Sequence, residues 1–533
     1  MFRKLIGITL CVAALLGLAG PARADVITDW NEILLQAIRT DKTAPPKASR
    51  AMAIMNVAIY DAVNGLVGGY TPMLYAAEAP AGALPDVAAA AAARKVLVTL
   101  FPAQTPTFDA AFDAFYNAIP NSQAKSDGAT WGLVVGDRIL TRRADDHSGD
   151  AVDYFVPTGG SWWAPTPPAF AAALLPNWPT VTPWTMTSGS QFRSGPPPAP
   201  GSAEYTRAFI EVRRLGRANS PSRTAEQSQI ALFWADGGGT VTPPGHWIQI
   251  AIGLSKEKHL SLSENARLFA LLGITVADAA IVAWDHKYQY NHWRPYTAIQ
   301  NAEIDGNPDT VADKTWTPFI ATPPFPAYTS GHSTFSASAA KILELFFGTD
   351  AIAFSTTSDG LPGVTRSFTS LSKAAEEAGQ SRIYGGIHWQ YDNQIGLASG
   401  RALAQHVFYN FLTPVVAPST CVANATTLCL NGGRFQVRAA WRSRTDHGPA
   451  QALSQAGDSG QFFFFNDDNI ELVVKVLDGC GTNQRYWVFA SGLTDVEVLL
   501  TVTDTETGRS RQYFNPLGKT FAPVTDTEAF ACQ

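Results

Sequence analysis

Apolar residues recur with a helical period over most of the chain before residue 411. The segment 48–66 forms one continuous helical pattern in which Met52, Met55 and Ile59 lie among small residues. The segment 86–100 is rich in strong helix formers, and Pro102 lies just past its end. Similar patterns predict further helices over 108–118, 203–215, 225–234, 263–284 and 334–347. This larger part of the chain is therefore predicted to be mainly α-helical.

The pattern changes after residue 411. Short alternating apolar runs follow, and turn residues such as Asn-Gly-Gly or Asp-Gly close each run. These runs predict strands over 434–441, 461–465, 470–477, 486–490 and 496–502. Strands of this length and spacing favour a β-sandwich. We therefore expect a mainly α helical bundle over 25–412, a linker over 413–420 and an all-β sandwich accessory domain over 421–533.

Residues 157–202 fit neither pattern, because they are rich in Pro, Trp, Gly and Thr and carry little charge. A long segment without regular structure often forms a lid or a wall of a functional site. We expect that role here.

The composition narrows the class of protein. Hydrophobic residues make up 46% of the 533 residues and charged residues 16%, so a large core is expected and a disordered chain is excluded. The formal net charge of −6 argues against a nucleic-acid-binding protein, which normally carries a basic patch.

The first 24 residues are typical of a secretory signal peptide. Arg3 and Lys4 precede an apolar run over 5–19, and the small residues Ala22 and Ala24 flank Arg23 before Asp25. A membrane anchor is the alternative, but it needs about 20 apolar residues. We expect cleavage after Ala24, a secreted or periplasmic protein and no membrane association.

Four of the five cysteines lie beyond residue 420, at Cys421, Cys429, Cys480 and Cys532. Their spacing contains no close pair of the kind that binds zinc, so two disulfides are expected in an oxidising compartment. Three pairings are possible. Cys429–Cys480 would join neighbouring strands and Cys421–Cys532 would tie the ends of the domain, so we favour these over a local Cys421–Cys429 pair.

The segment WDHKYQYNHWRP carries two cations, Lys287 and Arg294, seven residues apart. On one helix, that spacing would direct both side chains toward a common point. A solvated basic face is the alternative. Trp284 and the other aromatic neighbours favour burial instead, and buried cations need anionic partners.

A second segment, PPFPAYTSGHSTFSASAAKILELF, has a proline-rich loop that runs into a predicted helix at Ser330-Gly331-His332. The first amides of a helix have no partner within it and can bind an anion. Glycine at this position has no side chain and therefore allows the anion to approach the backbone closely. The alternative is plain N-capping by Ser330. That alternative leaves His332 unexplained.

The third segment, SRIYGGIHWQYD, holds Arg382, His388 and Asp392. The intervening Gly385-Gly386 allows a bend that turns Arg382 and His388 to the same side. Asp392 follows His388 by four residues, which suits a carboxylate that orients an imidazole from the same helix face.

The three segments together describe a receptor for a tetrahedral oxyanion. Fixed cations and amides surround the anion, and such donors also stabilise a trigonal-bipyramidal transition state. Two histidines would supply one axial ligand or nucleophile and one acid–base group.

The order K-x₆-RP, then SGH, then SR-x₅-H resembles the signature of the vanadium-dependent haloperoxidase and type-2 phosphatidic-acid phosphatase superfamily. Trp284, three residues before Lys287, is similar to the haloperoxidase branch. The resemblance covers about residues 28–411. Thr329 departs from the pattern, because the family usually has proline before Ser-Gly-His.

The resemblance implies vanadate as cofactor and His388 as its axial metal ligand. Lys287 would also polarise peroxide, and His332 would exchange protons at the axial oxygen. The residues implied to bind the cofactor are Lys287, Arg294, Ser330, Gly331, Arg382, Trp284 and Asp392.

The family implies a secreted vanadate-dependent haloperoxidase that uses hydrogen peroxide to oxidise halide to a hypohalous species. The alternative is a soluble acid phosphatase on the same site, in which His388 attacks a phosphate ester and forms a phosphohistidine. A lipid phosphatase would need several membrane-spanning helices. A third hypothesis, a binding protein with a vestigial site, conflicts with the complete set of site residues.

Overall fold

The computed structural model describes residues 25–157, 160–416 and 418–532. The predicted signal peptide, residues 1–24, lies outside the described residues.

Helices make up most of the chain as far as residue 410. Their bounds are α1 (Val26–Asp41), α2 (Pro45–Val67), α3 (Pro85–Leu100), α4 (Thr105–Asn117), α5 (Gln123–Arg142), α6 (Ala203–Leu215), α7 (Ala225–Phe233), α8 (Thr242–Lys258), α9 (Leu262–Tyr290), α10 (Pro295–Gln300), α11 (Gly331–Phe347), α12 (Leu371–Tyr384) and α13 (Gln390–Asn410). The prediction of a mainly helical part is confirmed. A small antiparallel hairpin of β1 (Phe354–Thr357) and β2 (Thr365–Phe368) lies within it, so this part is not purely α.

Helix α9 runs through the centre of the helical part. It has 29 residues, and its apolar stretch is long enough to span a membrane, but 94% of that stretch is buried inside the protein. Such burial is typical of a core helix. At Gly273, a Cβ atom would lie 3.1 Å from the carbonyl oxygen of Met52, so glycine lets α9 pack closely against α2.

The packing of α13 against α11 brings two chemically important helix starts together. A Cβ atom at Gly400 would lie 2.4 Å from the carbonyl oxygen of Thr334, and one at Gly396 would lie 2.9 Å from that of Ser330. Glycines on α13 therefore allow the two backbones to touch. The amide of Ser330 also donates to the carbonyl of Asp392 over 3.1 Å, which fixes the two helix starts side by side.

The C-terminal part is rich in antiparallel strands. Their bounds are β3 (Leu428–Leu430), β4 (Phe435–Arg442), β5 (His447–Pro449), β6 (Gln451–Ala456), β7 (Ser459–Phe463), β8 (Leu472–Gly479), β9 (Arg485–Gly492), β10 (Glu497–Asp504), β11 (Ser510–Asn515) and β12 (Val524–Ala531). One five-stranded sheet has the order β11-β10-β4-β3, with β5 on β4, and the other has the order β12-β9-β8-β7-β6. Alternate residues of both sheets share one buried apolar cluster. A four-residue helical turn, Cys480–Asn483, follows β8.

The predicted disulfide pairing is wrong. The structure joins Cys421 to Cys429 and Cys480 to Cys532, with Cα atoms 5.7 and 5.8 Å apart. Strand β3 carries Cys429 at the edge of one sheet. Cys480 follows β8 and Cys532 follows β12, and both of these strands pair with β9 in the other sheet. Each bridge therefore stays within one sheet.

The segment 413–420 is bonded to both parts of the chain. Pro414 forms an isolated bridge with Tyr70. On the other side, the amide of Val416 donates to the carbonyl of Gly508 and the amide of Ser419 to that of Thr505. The predicted linker is therefore anchored at residues 414, 416 and 419.

Candidate active site

The three predicted segments meet in the interior of the helical part. The end of α9 and the segment after it supply Lys287 and Arg294, and the loop before α11 and the start of that helix supply Ser330 to His332. The end of α12, the turn after it and the start of α13 supply Arg382, His388 and Asp392. Lys287, Arg294, Ser330 and Asp392 are fully buried, and His388 is 2% exposed. The structure thus brings together side chains that are up to about 100 residues apart in the sequence.

Lys287 lies in the last turn of α9 and is bound by the loop before α11. Its Nζ atom donates to the carbonyl oxygens of Pro326 at 3.0 Å and Ala327 at 3.2 Å, and also to that of Thr329. An ammonium group has three donors, so these carbonyls satisfy all of them. A direct bond from Lys287 to an oxyanion would replace one of these contacts.

Arg294 does not share a helix with Lys287, so the predicted common helix face is wrong. Helix α9 ends at Tyr290, Asn291 adopts a left-handed conformation, and Arg294 precedes α10 as its N-cap. The two cations converge because the chain reverses between them. Arg294 Nη1 lies 2.7 Å from the carbonyl oxygen of Ile387 and 3.0 Å from His388 Nε2.

Ser330 is the N-cap of α11, as the simpler interpretation of this motif predicts. Its hydroxyl oxygen accepts from the amide of Ser333 over 3.3 Å. The hydroxyl hydrogen remains available as a donor, and the amides of Gly331 and His332 have no partner within the helix. A Cβ atom at Gly331 would meet only Trp284 at 3.6 Å and Phe335 at 3.8 Å, so protein packing alone does not require glycine there.

The turn after α12 places Arg382 and His388 on the same site. Gly386 has a φ of 78°, which favours glycine, and it allows the chain to reverse as predicted. Arg382 Nη1 donates to the carbonyl oxygen of Trp234 at 2.9 Å.

His388 and Asp392 interact, although they do not lie on one helix face. His388 precedes the N-cap residue Trp389, and Asp392 lies in the first turn of α13. One carboxylate oxygen of Asp392 is 2.9 Å from His388 Nδ1 and accepts from the amide of Trp389 at 3.0 Å. Because a carboxylate accepts, we assign the hydrogen to Nδ1 and a lone pair to Nε2, which accepts from Arg294 Nη1 at 3.0 Å.

Trp284 contributes its ring and not its N–H group. Its Nε1 atom donates to the carbonyl oxygen of Leu174 at 3.1 Å, and the hydroxyl of Tyr288 donates to the same oxygen at 2.7 Å. Leu174 belongs to the segment 157–202. Its amide donates to the carbonyl oxygen of Pro324. The structure therefore supports the prediction that this segment forms a wall beside the site.

The electrostatics of the site favour an anion. Burial lowers the pKa of Lys287 well below its ordinary value, and the charge of Arg294 lowers it further. Burial lowers the pKa of Arg294 and Arg382 as well, although a guanidinium starts so high that both stay charged. Burial raises the pKa of Asp392, while the Trp389 amide and the cations oppose that shift. Buried cations exceed the carboxylates that face them, so an anion would lower the energy of the site.

Four buried donor or acceptor atoms of the predicted site residues have no hydrogen-bond partner among the described residues. They are the nitrogens Arg294 Nη2, Arg382 Nε and His332 Nε2, and the carboxylate oxygen Asp392 Oδ1. His332 itself is partly exposed, whereas its Nε2 atom is buried. Unpaired buried polar atoms are rare in folded proteins, and a cluster of them indicates a missing ligand.

The sequence motifs did not reveal Trp234 and Asp236, which lie behind Arg382. Both follow directly on α7, and both are buried. The stretch Asp236-Gly-Gly-Gly looks like an ordinary turn, so no signal marked either residue. His246 of α8 contacts both the carboxylate of Asp236 and the ring of Trp234.

Comparison with known proteins gives one consistent result. The family model described as the VCPO second helical-bundle domain matches residues 267–416, which include every predicted site residue. The chain is similar to the vanadium chloroperoxidase of Curvularia inaequalis, with 26% identity over 480 residues, 68% of this chain and 78% of that protein.

Solved structures agree. A bacterial vanadium-dependent iodoperoxidase has a TM-score of 0.65 and 30% identity, over 73% of this chain and 97% of its own. A holo-type bacterial vanadium-dependent chloroperoxidase has a TM-score of 0.52 over 72% of this chain and 91% of its own. At 16% identity, this second likeness concerns the fold alone. The identity to the iodoperoxidase over nearly all of its length shows that the chain belongs to the superfamily of vanadium-dependent haloperoxidases and type-2 phosphatidic-acid phosphatases.

Proposed function

We propose that this protein is a vanadate-dependent haloperoxidase that uses hydrogen peroxide to oxidise halide to a hypohalous species. One observation carries the proposal: the buried atoms Arg294 Nη2, Arg382 Nε and His332 Nε2 lack partners in the part of the chain that the structure describes, beside a helix start and His388. A tetrahedral oxyanion supplies the acceptors that the two guanidiniums require.

The donor set fits vanadate. His388 would bind the metal through Nε2, because its Nδ1 hydrogen is engaged by Asp392. When bound, vanadate supplies a Lewis-acidic centre that activates hydrogen peroxide toward halide. The residues that would hold its oxygens are Lys287, Arg294, Ser330, Gly331 and Arg382. Trp284 would pack beside Gly331.

The other residues of the site act on protons and charge. Asp392 keeps His388 in one tautomer and one orientation. Burial and the charge of Arg382 lower the pKa of His332 well below its ordinary value, so His332 is neutral at neutral pH and can accept a proton during turnover. The ammonium group of Lys287, which donates to the Thr329 carbonyl oxygen, stabilises negative charge at the site. It would bind the substrate by giving up one of its three carbonyl contacts.

The alternative is an acid phosphatase on the same site. The observation in its favour is that His388 Nε2, oriented by Asp392, has the lone pair that a nucleophile needs. In that case Nε2 would attack the phosphorus of a phosphate ester, and His332 would protonate the leaving alkoxide. The cations would stabilise the transferring group.

Activity with and without added orthovanadate separates the two functions. One set of assays contains hydrogen peroxide and bromide, and the other contains a phosphate ester. The haloperoxidase proposal expects bromide oxidation that depends on vanadate and is inhibited by inorganic phosphate. Hydrolysis of the ester, with no bromide oxidation at saturating vanadate, would establish the phosphatase.

We also propose that the protein is secreted or periplasmic after cleavage behind Ala24, and that its two sheets form a β-sandwich over 421–533. The two disulfides support an oxidising compartment. The buried cluster that both sheets share supports the sandwich. Mass spectrometry of the exported protein would identify its first residue.

A further inference from the structure

The turn that follows α7 carries a buried polar cluster directly behind Arg382. The carbonyl oxygen of Trp234 accepts the one side-chain hydrogen bond that Arg382 makes among the described residues, at 2.9 Å. Asp236, two residues further on, is 2% exposed and has a φ of 43°. A non-glycine residue rarely adopts this left-handed conformation. Other contacts must therefore hold the turn in place.

His246 of α8 holds both ends of this turn. Its ring stacks on the indole of Trp234, with ring centres 4.6 Å apart and an angle of 27°. Its Nδ1 atom lies 3.2 Å from a carboxylate oxygen of Asp236. Its Nε2 atom lies 3.1 Å from the hydroxyl of Thr356. A carboxylate only accepts, so Nδ1 donates to Asp236, and Nε2 is the atom that contacts the Thr356 hydroxyl.

We propose that His246 is a positioning residue for the oxyanion site. It fixes Trp234 and Asp236, and these keep Arg382 oriented with its unpaired Nε directed to the bound anion. The inference rests on the proposed function, in which Arg382 binds an oxyanion.

Geometry and charge support this role together. Arg382 Nε is buried without a partner, so the direction of the guanidinium depends on the Trp234 carbonyl at its other side. Burial lowers the pKa of Arg382, and the charge of Asp236 opposes that shift. Without the donor from His246, Asp236 would lose a fixed partner and would be free to move relative to Arg382.

The indole of Trp234 has a second restraint that does not involve His246. Its Nε1 atom donates to a carboxylate oxygen of Glu377 at 3.0 Å. The fold around Trp234 therefore has support when His246 is changed. A loss of anion binding without a loss of folding is the signature of a positioning role.

Two substitutions at His246 separate positioning from packing. In His246→Asn, the amide nitrogen can replace Nδ1 as the donor to Asp236. In His246→Gln, the longer amide replaces Nε2 and the donor to Asp236 is lost. A matched control is His406→Gln, because His406 also makes one fixed contact, 3.0 Å from the carbonyl oxygen of Thr185, and lies beside Phe192 and Phe411.

Orthovanadate and inorganic phosphate are the probes, titrated by calorimetry into the full-length mature protein, with thermal unfolding measured in parallel. We expect His246→Gln to weaken orthovanadate binding by about 10- to 100-fold, the range usual for residues that support a ligand from behind. His246→Asn should stay within about threefold of the unsubstituted protein, and His406→Gln should bind normally. The melting temperatures of His246→Gln and His406→Gln should be similar.

Each other outcome has a definite reading. If His246→Gln binds orthovanadate as tightly as the unsubstituted protein, or if His246→Asn is no better than His246→Gln, the positioning role is wrong while the proposed function stands. If the unsubstituted protein binds phosphate but not orthovanadate, the same comparison is made with phosphate. If it binds neither anion, the proposed function and this inference fail together.

Discussion

Two buried polar regions of the helical part are built in opposite ways. At Asp61, the carboxylate is 1% exposed and accepts from the amides of Met73, Leu74 and Tyr75 at 2.8 to 2.9 Å. Around the start of α11, Arg294, Arg382 and His332 each bury an atom that has no partner among the described residues. An unpaired buried polar group costs about 1–3 kcal/mol. The first region therefore stabilises the fold, and the second is complete only when a ligand is present.

Asp278 shows that the satisfied arrangement is not unique to Asp61. Its buried carboxylate accepts from the amides of Trp184 and Thr185, each at 2.8 Å, and from the Thr185 hydroxyl. Each carboxylate anchors an irregular segment to a core helix. Asp61 does so from α2, and Asp278 does so from α9. The comparison teaches that burial of charge does not by itself identify a site in this protein. A cluster of unpaired donors around one helix start does, whereas single unpaired atoms also occur elsewhere among the described residues, for example Arg143 Nε and Arg434 Nε.

The largest effect is expected at His388. In His388→Ala, the metal loses its proposed axial ligand, so orthovanadate affinity should fall by more than about 100-fold, beyond the range for supporting residues. The Asp61 region should be unaffected, and the melting temperature without vanadate should fall, because Asp392 and Arg294 each lose a buried partner. Equilibrium dialysis with metal analysis measures the affinity. Retention of stoichiometric vanadium would contradict the assignment of His388.

A smaller effect on binding and a large effect on rate are expected at His332. His332→Ala should keep vanadium bound, because this residue acts on protons, and turnover should fall by about 10²–10⁴-fold. Since burial and Arg382 lower the pKa of His332, the ring of the unliganded protein takes up a proton only on the acid side of its ordinary range. An acid limb in the pH–rate profile should therefore disappear in the variant. Equal loss of vanadium in His332→Ala and His388→Ala would remove the distinction between the two histidines.

The two regions should also differ in stability. Asp61→Ala leaves three buried amides without an acceptor and should lower the free energy of unfolding by about 3 kcal/mol or more. His332→Ala removes a ring whose Nε2 has no partner among the described residues and leaves no comparable set of amides without an acceptor, so the cost should be about 1 kcal/mol. Urea unfolding of the vanadate-free proteins measures both values. If His332→Ala proved as destabilising as Asp61→Ala, the unpaired atoms would not mark a site reserved for a ligand.

The sequence was sufficient to predict that three segments converge, because the motifs carry unusual chemistry within short stretches of chain. Lys287 and Arg294 do converge, yet a chain reversal at Asn291 brings them together, and helical periodicity does not reveal where a helix ends. The contact between His388 and Asp392 was likewise predicted, although a helix start replaces the expected shared face. Local spacing identified the partners but not the backbone that connects them.

Features that depend on tertiary packing were not predictable. The disulfides follow the order of strands within each sheet, and the alternating pattern of apolar residues shows where a strand lies but not which strand it joins. The edge strands β3, β5, β6, β11 and β12 are short or have weak alternation, so they were missed. His246 and Asp236 are brought together by the position of α8 beside α7, which no local pattern encodes.

Ser330 is a buried residue that both stabilises the fold and is available to a ligand. Its substitution should give the smallest effect on orthovanadate binding. Its hydroxyl caps α11 through the amide of Ser333 at 3.3 Å, and its hydrogen is free for the oxyanion. Ser370 is a matched control, because it caps α12 through the amide of Lys373 at the same 3.3 Å. Ser330→Ala and Ser370→Ala should each lower the free energy of unfolding by about 1 kcal/mol, the usual value of an N-cap.

The two variants should differ in orthovanadate affinity. A hydrogen bond to a charged acceptor is worth about 1.5–3 kcal/mol, so Ser330→Ala should bind orthovanadate about 10-fold more weakly. Ser370→Ala should bind it normally, because Ser370 lies at the end of α12 opposite to Arg382. Calorimetric titration of both proteins gives the ratio directly. A ratio near one would mean that Ser330 is a cap alone, and the oxyanion would then be held by the guanidiniums and the amides of α11 without its hydroxyl.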